Sequence, residues 1–225
     1  QVTQEALQRW SINQSQKIVL ISGNSEIETM AQDLIESQNT ALTDKVKQDF
    51  SDLLMKSARH FEVQNFYLID KNGINIVSRL EGEAGLKNDV KLKRSAEFER
   101  IFNGDAVFIP PIMHSPHKGL TTSKTRSHPI TFVGAPVRNE QGNVIAALLI
   151  GFDPKLHFSR ITELGRMGYS GETYGFDRTG LLMTKSRFTQ NLKLLGMIGK
   201  DAMAMLSIRI TDPGTNLLQN LDNAI

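Results

Sequence analysis

The sequence predicts an α/β protein of the α+β type: a long amino-terminal amphipathic helix, then two tandem modules with antiparallel sheets, the second incomplete. Three observations carry this. Apolar residues recur at helical spacing over about sixty residues at the start of the chain. Tyr67-Leu-Ile-Asp70-Lys-Asn-Gly73 is echoed about a hundred residues later by Tyr174-Gly-Phe-Asp177-Arg-Thr-Gly180. Each copy is followed by an apolar run ending in Ser-Arg, at Ser78-Arg79 and Ser186-Arg187. An apolar strand, an Asp-x-x-Gly turn and a returning apolar strand make a β-hairpin, so the repeat reads as one small fold used twice.

The helical stretch carries Ile27, Met30, Leu34, Ala41, Val46, Phe50, Leu54, Ala58 and Phe61 on its apolar positions. Gly23-Asn24 interrupts it, Ser25 with Glu28 forms a capping box that restarts it, and a second break falls near Asn39-Thr40. Such a stretch serves either as a layer packed on a sheet or as a stalk with a dimer seam. After the hairpin at 66–79, Ser95–Phe102 reads as a helix stopped by Asn103-Gly104. Ala106–Ile112 is a strand whose Pro110-Pro111 places it at an edge or a bulge. Residues 114–128 form a polar loop, and Ile130–Arg138 and Val144–Phe152 form a hairpin around Asn139-Glu140-Gln141-Gly142. Phe158–Met167 is helical, Thr173–Arg187 is the second hairpin, Leu192–Met203 is helix or loop, and Leu206–Thr211 is a strand. The expected organisation is a stalk at 1–61, a first module at 62–155 and a truncated second module at 156–225.

Composition narrows the function. A 40% hydrophobic, 22% charged chain of 225 residues is that of a folded protein, and a net charge of +2 gives no argument for nucleic acid. With no cysteine there is no disulfide, no thiolate catalysis and no cysteine-ligated metal. No run of about 18 apolar residues could span a bilayer. The chain begins at Gln1 without methionine, so an excised segment is expected, preceded in its parent by a signal or membrane helix.

The run Gly168-x-x-Gly-Glu-Thr-Tyr-Gly-Phe-Asp-Arg-Thr-Gly-Leu-Leu-Met-Thr-Lys-Ser-Arg-Phe188 resembles the signature opening the membrane-proximal half of double Cache sensor domains. Asp212-Pro213-Gly214 resembles a stretch that follows that signature in some members. The preceding helix, hairpin and closing hairpin are similar to the membrane-distal half, a PAS-like module of five strands. The resemblance implies a periplasmic ligand-sensing region of an inner-membrane receptor, anchored by flanking helices and controlling a histidine kinase, a chemoreceptor output or a cyclase. A non-signalling binding module is the alternative. The resemblance further implies a small-molecule ligand in the distal module and no enzymatic activity or cofactor in this segment. Members that bind amino acids pair Arg with Trp-Tyr on the distal sheet. Here the one tryptophan is Trp10 on the amino-terminal helix, so that motif is absent.

Candidate binding chemistry concentrates in the first module. No acidic residue lies between Asp105 and Glu140, whereas Lys118, Lys124, Arg126, Arg138, His114, His117 and His128 do. Such a loop is either solvated or, lying over a concave sheet, holds a carboxylate or phosphate through charge-assisted hydrogen bonds. On the second reading Arg126 and His128 are the chief anion ligands, with Thr131, Tyr67 and His114 adding hydrogen bonds. His114-x-x-His117 has a metal-like spacing, but Pro116 intervenes and no cysteine or carboxylate lies nearby in sequence, so no metal is expected. Asp70 and Asp177 are read as turn residues bonding local backbone rather than as a catalytic pair. Arg79 and Arg187 are expected to pair with carboxylates within their modules. A homodimer through the amino-terminal helix is expected as a partner arrangement.

Overall fold

A computed structural model describes residues 2–36, 40–59, 61–80, 82–115, 127–156, 158–163 and 171–210. The chain divides into two compact units, Gln1–Ile161 and Thr162–Ile225.

In the first unit, α1 (Val2–Ser22), α2 (Ser25–Glu36) and α3 (Thr40–Ser57) make up the helical stretch, with a break at Gly23-Asn24 as predicted, while the break expected near Asn39-Thr40 falls on residues 37–39, outside the described residues. The cap of α2 is a correction. Asn24, not Ser25, is the capping residue, because its Oδ1 accepts from Glu26 N at 2.9 Å and from Ile27 N at 3.4 Å. Five strands follow: β1 (Asn65–Ile69), β2 (Asn75–Ser78), β3 (Val107–His114), β4 (His128–Arg138) and β5 (Val144–Phe152). Between β2 and β3 lie α4 (Asp89–Lys93) and α5 (Ser95–Phe102). The strands form one antiparallel sheet in the order β2-β1-β5-β4-β3. β3 is an edge strand with a register shift between Ile109 and Ile112, which is how the sheet accommodates two prolines that cannot donate to a ladder.

Both faces of the sheet are buried, and alternation assigns each side chain to one of them. Phe66, Leu68, Val133, Ala135, Leu148, Ile150 and Phe152 pack with Ile18, Ile27, Leu34, Phe50 and Leu54 of the helices. The helical stretch is therefore a layer on the sheet. Trp10 stands edge-on to Phe108 at 5.4 Å and to Phe152 at 5.6 Å within this layer. Tyr67, Ile69, Ile109, Ile112, Ile130, Phe132 and Leu149 point the other way, towards Val90, Phe98 and Ile101 of α4 and α5. Double burial explains why β5 is nearly all apolar and lacks the alternation of a half-exposed strand.

The second unit holds the last part of α6 (Phe158–Glu163), together with α7 (Thr189–Leu194) and a small core of Leu182, Ile198 and Ala204. The hairpin expected at 173–187 is reduced to the bridge Phe176↔Leu182, and the strand expected from Leu206 to the bridge Leu181↔Arg209. Leu206 at φ 61° breaks any extended run there. Residues 164–170 and 211–225, with the expected helix end, Gly168 and Asp212-Pro213-Gly214, lie outside the described residues.

The repeated motif builds the same turn twice. Asp70 Oδ1 accepts from Asn72 N at 2.9 Å and Ile74 N at 2.8 Å, and Asp177 Oδ1 accepts from Thr179 N at 2.8 Å and Leu181 N at 3.2 Å. The glycine that closes each turn has positive φ, 85° at Gly73 and 77° at Gly180. Both aspartates thus hold turns, as their sequence context implied. Arg79 is a correction: its guanidinium donates to the backbone carbonyls of Val63 and Gln64 rather than pairing with a carboxylate. Gly73→Ala should cost about 1–3 kcal/mol in denaturant melts from the left-handed backbone, and its Cβ would in addition come 2.6 Å from the Lys91 side-chain Cγ. Gly180→Ala should perturb its unit more, because a Cβ there would come 2.1 Å from the Ile210 carbonyl oxygen. Equal and negligible effects would show that neither turn is constrained.

Candidate ligand-binding site

Strand alternation sorts the candidate residues. Tyr67 on β1, His114 at the end of β3 and His128 at the start of β4 share the sheet face opposite α1–α3. His114 and His128 are cross-strand partners, with ring centroids 5.4 Å apart and edge-on. β3 and β4 therefore extend into the loop expected at 114–128. Thr131 is paired with Phe152, faces the helical layer, is fully buried and donates its hydroxyl to Ile109 O at 2.7 Å. It does not join the other three. Arg126, Lys118, Lys124 and His117 lie outside the described residues.

The centre of this face is a buried polar cluster that sequence reasoning missed. Glu83, in the connection after β2, and Asp89, opening α4, flank His114. Nδ1 lies 3.1 Å from Asp89 Oδ2 and Nε2 lies 3.1 Å from Glu83 Oε1. The Asp89 contact is a hydrogen bond, whereas the Glu83 contact is close but poorly aligned and acts as a charge contact. Tyr67 Oη donates to Glu83 Oε2 at 2.6 Å and accepts from Asn65 Nδ2 at 2.6 Å. Asn75 Nδ2 donates to Glu83 O at 3.0 Å, and Asn88 Nδ2 to Asn75 Oδ1 at 2.8 Å. Asn88 also caps α4, its Oδ1 accepting from Val90 N at 2.8 Å. Lys93 Nζ completes the set 2.9 Å from Asp89 Oδ1.

These contacts fix protonation. Burial disfavours charge on His114, but the hydrogen bond with Asp89 and the attraction of the Asp89 and Glu83 carboxylates outweigh it and push the imidazole up to about 9. Burial likewise opposes ionisation of Asp89, yet hydrogen bonds from His114 and Lys93 hold it below the ordinary carboxylate value. Burial and the neighbouring Glu83 carboxylate drive the Tyr67 phenol well above its usual value, so it remains a donor. A protonated imidazole facing carboxylates on both nitrogens has no lone pair to accept a proton, so His114 is not a general base at neutral pH. Within this cluster Glu83 and Asp89 offset the charges of His114 and Lys93. Among the described residues no group of three or more His, Cys, Asp or Glu could hold a metal ion.

The architecture has solved counterparts. The sensor domain of the V. cholerae histidine kinase DctB overlays with a TM-score of 0.53 at 16% identity, covering 91% of this chain and 64% of that one. The chain has the fold of a Cache sensor domain. The E. coli DcuS sensor domain (14% identity, 72% of this chain and 97% of that one, TM-score 0.37) is a more distant match. So is the sensory domain of the Campylobacter jejuni chemoreceptor Tlp3 with isoleucine bound (13% identity, 81% and 73%, TM-score 0.40). This Cache-fold chain spans 64% of the length of the DctB domain. No protein-family model matches it, and no curated protein is similar in sequence. None of its described helices is long and apolar enough to cross a membrane.

The cluster gives the Cache fold a pH signature. His114 titrates higher folded than unfolded, so its contribution is complete below pH 6.5 and is lost as pH rises through about 9. Asp89 titrates lower folded than unfolded, so its contribution is present above pH 3.8 and is lost as pH falls through its depressed value. Thermal melts should therefore show the native chain's advantage over His114→Gln shrinking between about pH 6.5 and 9. A pH-independent difference would contradict the assignment. Tyr67→Phe removes a buried donor to Glu83 and should cost about 1–3 kcal/mol in urea unfolding.

Proposed function

We propose that this chain is the extracytoplasmic ligand-sensing region of a membrane-anchored signal-transduction receptor whose output is a histidine kinase. The DctB overlay across 91% of the chain carries this reading. The ligand site is placed on the sheet face bearing Tyr67, His114 and His128, roofed by the connection after β2 and by α4 and α5. The ligand is a small molecule, and a carboxylate held by Arg126 and His128 fits the basic composition of residues 114–128.

Mechanism follows from linkage. A ligand changes output only by preferring one arrangement of the roof and helices over another, and the size of the change is bounded by that preference. The sheet joins the two layers: Tyr67 on one face and Phe66 and Leu68 on the other belong to the same strand. A shift of β1 is therefore felt by α1–α3. A homodimer through the amino-terminal helix belongs to the same reading. Ile12 and Val19, seven residues apart on α1, are about half exposed.

A thermal-shift screen of small carboxylates, amines and sugars tests the proposal. A carboxylate should raise the melting temperature progressively with concentration. Arg126→Ala and His128→Ala should each weaken that response about tenfold or more in apparent Kd, as expected for losing a charged hydrogen bond. Stabilisation by amines or sugars alone, or an unchanged carboxylate response in both variants, would refute the anion assignment.

A further inference from the structure

The Glu83–His114–Asp89 cluster joins three separately routed segments through one ionisable side chain. His114 ends edge strand β3, Glu83 lies in the connection after β2, and Asp89 begins α4. The connection and α4 form part of the roof over the candidate face. His114 is 4% exposed and Glu83 3%, so solvent does little to screen them.

Among the described residues, four elements present titratable or charged groups at or next to His114. The connection presents Glu83, and α4 presents Asp89 backed by Lys93. β1 presents Tyr67 through its bond to Glu83, and β4 presents the ring of His128. Charged, the imidazolium offsets the repulsion between two carboxylates. Neutral, one ring nitrogen turns a lone pair towards a carboxylate oxygen 3.1 Å away, and attraction becomes repulsion inside a buried site. Nε2 has the less aligned contact, so the proton leaves there and the Glu83 side gives way first.

We propose that His114 is a proton-operated latch: charged, it holds the Glu83–Lys93 part of the roof against the sheet, and neutral, it releases it. The proton is then an input to the fold in its own right, whether or not a small molecule binds. The upward displacement of the His114 pKa keeps the latch closed at neutral pH and opens it in the alkaline range.

The native chain is sufficient for the test. With isotope-labelled histidine, the assigned His114 imidazole is followed by NMR from about pH 6 to 10, spanning its ordinary 6.5 and the raised value near 9. In parallel, the absence of cysteine allows spin labels at Ala84→Cys in the roof and Gln141→Cys in the β4–β5 turn, both exposed positions. His114 should titrate near pH 9, and the label distance should lengthen or broaden with the same midpoint. Glu83→Gln should move both midpoints down together. If that variant does not fold, the native titration and distances still decide. Titration of His114 near 6.5, or a label distance unchanged across its titration, overturns the latch.

Discussion

Burial of both faces of one antiparallel sheet is the constraint on which the rest of the first unit depends. β5 lies at its centre, with seven consecutive buried residues from Ala146 to Phe152. Such a strand cannot tolerate water on either side, so the helices must cover one face and the chain between β2 and β3 the other. The two covers are built differently. The helical cover is a continuous apolar core around Phe50, Leu54 and Trp10. The opposite cover combines a smaller apolar cluster with buried Asn65, Asn75, Asn88, Glu83 and His114.

That difference has energetic consequences. Apolar packing is insensitive to pH and gives no cheap way to open. A buried polar network is stabilising only while every member is satisfied, and losing one proton or one hydroxyl leaves a charge or acceptor stranded. The polar cover is thus the face where a small chemical input can change the conformational balance. The apolar layer is suited to carrying a displacement as a rigid element.

Most of the architecture was legible in sequence. Asp70 and Asp177 in Asp-x-x-Gly context, Asn103-Gly104 after Phe102, Pro110-Pro111 in an apolar run and the break at Gly23-Asn24 each have a local physical meaning, and the structure uses them as such. Leu206 was misread because its apolar neighbours suggested a strand, while its left-handed backbone is set by tertiary packing. The charge cluster was not legible for a related reason. Glu83 sits in a hydrophilic stretch, Ser78-Arg-Leu-Glu-Gly-Glu83-Ala, that looks solvated, and only the crossing of the connection over β1 brings it to His114. Asn88-Asp89 ahead of Val90 was a readable helix start, though its link to a histidine twenty-five residues away was not. Thr131 was misplaced by one residue of alternation, which in a strand separates one face from the other.

The central claim is that ligand input arrives on the face bearing Tyr67, His114 and His128, under the roof formed by the Glu83–Lys93 segment and α5. Amide chemical-shift mapping of the whole chain, titrated with the carboxylate that most raises its melting temperature, measures this most directly. The account predicts that the largest perturbations fall on Glu83–Lys93, on the ends of β3 and β4 and on Tyr67, with smaller ones passed through β1 to α1–α3. Perturbations confined to α1–α3 or to the second unit, with that face silent, would contradict it.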